Sequence, residues 1–169
     1  MAEVRTIGLS SIQISDIAGD GGLGTSFATL GKTYKDTAEM TQADPEITEH
    51  YSEESDEPEE TISKRGKTTV KWSIIDTDPD TLVKVLGGTS TGTAPNKVWS
   101  APDAATNIEK SIKIVPSAGA TISIVRAKLH AKINYKMART GIFMVDIVAT
   151  VLDPTKAATA PMTIGVPAA

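Results

Sequence analysis

Two histidines, His50 and His130, are the first side chains to test for chemistry, and neither sits in a catalytic pattern. A histidine-based triad needs a nucleophile and an orienting acid converging on the ring. The chain has no G-x-S-x-G elbow to supply that nucleophile, no H-E-x-x-H pair and no P-loop. His130 alternates with Lys128 and Lys132 along a strand-like stretch, which assigns it to a polar, solvent-facing side. Cysteine is absent, which excludes thiolate metal sites, cysteine nucleophiles and a disulfide framework.

Gly19-Asp20-Gly21-Gly22-Leu23-Gly24 reads formally as G-x-G-x-x-G. That fingerprint binds dinucleotides because a helix follows it and its N-terminus holds the pyrophosphate. Here Thr25-Ser26-Phe27-Ala28-Thr29-Leu30-Gly31 follows, without helical periodicity and with another glycine. The glycines are therefore read as a flexible turn.

The densest charge is Glu53, Glu54, Asp56, Glu57, Glu59 and Glu60, six carboxylates within eight residues that also include Pro58. Calcium sites gather six to eight oxygens, but this spacing lacks the D-x-D-x-D-G order and the sharp glycine turn. Such a run repels itself and stays solvated unless it orders against a basic surface. A complementary stripe runs through Arg126, Lys128, Lys132 and Lys136. Nucleic-acid binding by that stripe would call for interleaved aromatics or a groove-reading helix, and neither accompanies it. The stripe is better matched to carboxylates. No catalytic residue, cofactor or metal is assigned, and an enzyme is not expected.

These groups must be positioned by β-structure. Ile (17), Val (11) and Thr (22) dominate the composition, whereas Leu occurs only seven times. β-branched side chains favour a pleated surface over a helix, so a mainly β fold is expected. A single domain is the default for 169 residues. Residues 1–17 carry Glu3, Arg5 and Asp16 with no apolar block, so no signal peptide is expected. No run approaches the ~18 apolar residues of a membrane span. A soluble chain without a membrane partner is the expectation.

Strands are expected over 3–9, 11–17, 33–42, 46–52, 69–75 and 109–115, with a further extended stretch from Val98. Residues 121–138 give the longest strand signal, with Leu129, Ala131, Ile133, Tyr135 and Met137 on one side. Residues 142–152 are nearly continuously apolar, hence central. The stretch from 33 to 76 reads as one long hairpin, with 43–65 as an arm and the acids at or near its tip. The one helix is expected at 78–87. Asp78 is placed to cap it, Pro79 occupies the first position, Leu82, Val85 and Leu86 share a face, and Gly87 or Gly88 ends it. Residues 1–154 make the domain, and 155–169 form an extended or flexible tail.

Charge is segregated along the chain. Residues 1–60 carry a balance of −11 and residues 61–169 one of +7, which combine to the net −4. Opposed faces would favour heterologous, head-to-tail contacts that close into rings or run on into filaments.

Taken together, several phrases resemble the major tail tube proteins of long-tailed bacteriophages. They are Leu30-Gly31-Lys32-Thr33-Tyr34, Thr41-Gln42-Ala43-Asp44-Pro45-Glu46, the acidic loop, Gly66-Lys67-Thr68-Thr69-Val70-Lys71-Trp72-Ser73-Ile74-Ile75-Asp76, the helix and the closing hairpin at 128–154. The likeness extends from about Ile7 to Pro154. It implies a β-sandwich or barrel of two packed antiparallel sheets with one short flanking helix. It further implies hexameric rings stacked into a hollow tube, with an acidic lumen through which genomic DNA slides without specific binding. Its implied partners are other copies of the chain and other tail proteins such as tape measure, terminator and baseplate. The implied location is the virion tail, assembled in the bacterial cytoplasm. Alternatives are another tail component (a terminator, baseplate or contractile injection-system tube protein) and a monomeric β-sandwich binding module.

Overall fold

The computed structural model describes residues 3–166. In chain order the elements are β1 (Ser11–Ser15), β2 (Ala28–Thr29), β3 (Glu39–Gln42), β4 (Glu46–His50), β5 (Glu60–Lys64) and β6 (Thr68–Ile74). They continue with α1 (Pro79–Leu86), β7 (Thr89–Thr91), β8 (Val98–Ser100), β9 (Ile108–Val115), β10 (Thr121–Tyr135), β11 (Phe143–Val151) and β12 (Met162–Gly165). The fold is mainly β, with two packed antiparallel layers, one short helix and no closed barrel.

The two layers arise from a single long strand. β10 first runs between β9 and β12, then between β9 and β11. Its register against β9 shifts between Ile124 and Ala127, a bulge that gives Val125 and Arg126 one position to share opposite Ser111. Ser111 fixes this kink. Its hydroxyl, fully buried, donates to the Val125 carbonyl at 2.6 Å and accepts the Gly24 N–H at 3.0 Å. One layer therefore reads β2-β1-β9 and the start of β10, edged by β12. The other reads the end of β10, then β11-β6-β3.

Residues 30–34 stitch the far sides together. Leu30 N–H donates to Ile12 O at 3.2 Å, Ile75 N–H to Lys32 O at 3.1 Å, and Tyr34 N–H to Ser73 O at 2.8 Å. Between the layers lies one apolar cluster. Ile12, Ile14 and Ile112 come from the first layer, and Val70, Trp72, Ile74, Val145 and Ile147 from the second. Each such side chain contributes about 1.5–3 kcal/mol by leaving water.

α1 covers the end of this cluster with Leu82 and Val85, both buried, and with the partly buried Leu86. Pro79 opens the helix as expected. Asp78, however, makes no side-chain cap bond; its backbone carbonyl accepts the Leu82 N–H at 3.0 Å instead. The Trp99 indole N–H donates to Gly87 O at 2.8 Å, which satisfies a carbonyl at the helix end.

Two expected strands are shorter than their alternation implied. Of 3–9 only an isolated bridge between Ile7 and Ala118 forms, and Val4 and Ile7 stay exposed. Of 33–42 only β3 is a ladder, with a bridge from Thr33 to Ile74. In the tail, β12 pairs with β10 through Ile122 and Ile164, while the last three residues lie outside the described range. Among the described residues no helix is long and apolar enough to cross a membrane.

Candidate assembly interfaces

The hairpin from Glu39 to Lys71 keeps one register throughout. Glu39 faces Lys71 and Gln42 faces Thr68 in the body, while Glu46 faces Lys64 and His50 faces Glu60 beyond it. The ladder breaks only at 43–45 against 65–67, where Pro45 has no N–H to give. Ala43 N–H still donates to Lys67 O at 2.9 Å across the break. At about 3.3 Å per residue, 43–50 carries the arm roughly 25 Å beyond the body.

Every residue of β4 and β5 is exposed, on both faces of the ribbon. Ile47 and Ile62 point to opposite faces and are each more than half exposed. A two-stranded ribbon with no covered face is marginal in water.

Glu53, Glu54, Asp56, Glu57, Glu59 and Glu60 all lie at the tip and are all exposed. Their loop is held by Glu59 N–H donating to His50 O at 2.8 Å, and by the Glu57 N–H donating to the Ser55 hydroxyl at 3.2 Å. None of the six carboxylates forms a salt bridge among the described residues. No three His, Asp or Glu side chains there converge in a way that would hold a metal.

The basic residues do not act as one stripe. Arg126 is committed internally: its Nε and Nη2 donate to the two carboxylate oxygens of Glu109 at 2.8 and 3.1 Å, and Nη1 reaches Asp153 O at 3.3 Å. Those hydrogen bonds hold the Glu109 carboxyl below its ordinary range and raise the Arg126 guanidinium further. Lys128 lies opposite both Glu109 and Thr150. Lys132 is exposed and lies 4.0 Å from Asp146, which is already held by Ser73 Oγ at 2.6 Å and Asn134 Nδ2 at 2.9 Å. Lys136 lies just past the end of β10 and is exposed. Of the other three cations, Lys128 and Lys136 form no salt bridge among the described residues, and Lys132 makes the exposed 4.0 Å contact with Asp146.

The bulge was the missed signal for Arg126. Apolar parity switches from Ile122 and Ile124 to Ala127 and Leu129, which one unbroken strand cannot accommodate on one face.

The glycine turn at 19–24 is structural. Gly21 N–H donates to Ala18 O at 2.8 Å, and Asp20 pairs with Lys156 at 2.6 Å, tying the turn to the C-terminal segment. That hydrogen bond lowers the Asp20 carboxyl, as Lys110 lowers Asp16 and Lys97 lowers Asp80. No strand-to-helix junction follows the turn. His50 and His130 lie on different strands, one at the arm tip and one on the outer face of β10.

No protein-family model matches the chain, and no curated protein matches it.

Proposed function

We propose that this chain is a structural subunit that assembles as stacked hexameric rings into a phage tail tube, the conduit for DNA ejection. The observation that carries the reading is the 43–65 arm. It leaves the body as a ribbon exposed on both faces, with six carboxylates at its tip that form no salt bridge among the described residues. A ribbon of this kind gains stability when another surface covers it.

Lys128, Lys132 and Lys136 supply cations of the sign such an arm needs on a neighbouring copy. The resemblance in the sequence phrases supplies the rest of the reading: the ring, the lumen, the virion location, and tape measure, terminator and baseplate as further partners. The mechanism is physical rather than enzymatic. Arms dock on the next ring, and the lumen passes DNA without holding it. A binding module gains nothing from the tryptophans: Trp72 is buried and Trp99 is bonded to the helix end.

Replacing 44–65 by a two-residue turn tests this reading. Folded subunits and rings that no longer stack are expected, and stacking of the intact chain should weaken at high salt. Tubes of normal length from the armless chain would overturn arm docking. They would instead favour acids placed along the lumen, where they repel phosphates.

A further inference from the structure

At the end of β10 and β11 the two strands run on as a bare ribbon. β9 stops at Ile108, opposite Leu129, and β6 stops at Ile74, opposite Val145. Beyond those points no third strand pairs either edge among the described residues. Ile133 and Tyr135 continue the inward face of Leu129 and Ala131, yet each is 47% exposed, and Met137 in the following turn is 87% exposed. Sequence alternation alone assigns these three to a core; the structure places them past its end. Such an apolar face with free edges is a surface awaiting a partner.

The ribbon end closes in a tight turn. Tyr135 packs on Phe143 with ring centroids 5.5 Å apart. Gly141 sits so close to Lys136 O that a Cβ would fall 1.8 Å from it, so the turn admits no other residue without shifting. The aromatic pair and this turn make the ribbon end a compact knob. It is cationic as well, because residues 134–145 contain Lys136 and Arg139 and no acid.

The same chain offers the matching hollow. A groove of about 1020 Å³ lies between the first layer and the segment around Tyr34 and Met40, with Leu9 and Ile122 among its apolar walls. Its rim carries Asp36, Glu39 and Asp76 against Lys32 and Lys35, so acids outnumber bases. A second concavity, beside α1, is about 220 Å³. Knob and hollow are thus both partly apolar and opposite in the sign of their charge, and they are distinct surfaces of one subunit.

We propose that the β10–β11 ribbon end seats in the Tyr34–Met40 groove of a second copy, as the contact between neighbours within a ring. Such a heterologous contact closes into a ring or continues as a filament. The place of the contact within a ring rests on the tube reading above; the contact itself does not.

The test uses the absence of cysteine. The full chain carrying both Met40→Cys and Met137→Cys is treated with a short bis-maleimide at high protein concentration, beside each single variant. A ladder of covalent oligomers from the double variant, with monomer from each single one, is the expected result. Monomer alone from the double variant would overturn the contact. Dimers from Met137→Cys alone would also overturn it, since they mean tip-to-tip packing. Met137→Asp, at so exposed a position, should leave thermal unfolding unchanged and weaken self-association about tenfold; unchanged association would count against the proposal. Electron microscopy of the same samples separates the two readings. Rings without the ladder remove this contact and leave the tube reading, whereas the ladder without rings keeps the contact and removes the tube.

Discussion

The missing Cβ of Gly66 would lie 1.9 Å from the carbonyl oxygen of Ala43, which makes this pair the pinch point where the hairpin leaves the body and becomes the arm. Backbone meets backbone there, so no side-chain rotation can relieve a larger residue. Gly66→Ala should therefore force the neck apart and cost about 1–3 kcal/mol, as overpacking generally does. Chemical denaturation of the variant against the parent chain measures that loss. An unchanged midpoint would mean that the neck is not tight.

The Arg126–Glu109 pair predicts a pH dependence. Glu109 titrates below its ordinary value in the folded chain because Arg126 hydrogen-bonds the ionised carboxylate. Its contribution to stability is full above the unfolded carboxylate range near 4.5 and is lost as pH falls through the lowered folded value. Glu109→Gln should accordingly be less stable than the parent at neutral pH, with the difference shrinking below about pH 4.5. Thermal unfolding from pH 7 down to pH 3 checks the sign.

Trp72 is fully buried at the centre of the second layer, and its indole N–H has no hydrogen-bond partner among the described residues. Trp72→Ala should cost about 3–5 kcal/mol through the cavity it opens. Trp72→Phe removes the unpaired donor together with some of the volume, so its cost should be clearly smaller than that of Trp72→Ala. Equal losses in the two variants would mean that the aromatic volume at this position contributes nothing to stability.

Much of this architecture can be read from local signals, and the misses have physical causes. Val70, Trp72 and Ile74 alternate with polar residues, and all three are buried in β6. Pro79 and Gly87 bracket the helix, with Gly87 in the left-handed region at φ 77°. The long hairpin is legible because both of its halves alternate and the acids cannot pack. By contrast, the partner of Arg126 depends on a bulge that only the parity switch announces. The segment 3–9 has strand-like residues but only Ala118 to pair with, and alternation alone says nothing about available partners. The apolar ribbon end has the pattern of a core strand, and its exposure follows from where β9 and β6 happen to stop. Groove and knob come from distant parts of the chain, so no local pattern reports them.

Neutralising the six tip acids to Gln or Asn should leave thermal unfolding unchanged, since none of them forms a salt bridge to the body among the described residues. It should also remove most of the salt dependence of ring stacking. Sedimentation velocity at low and high ionic strength provides the comparison. Stacking that keeps its salt dependence would place the electrostatic contact elsewhere.

Self-assembly into a hollow tube is open to negative-stain electron microscopy of the purified chain across a concentration series. Rings at moderate concentration and stacked tubes with a stain-filled lumen at high concentration are expected. Small, unassembled particles at the highest concentration reached would contradict it.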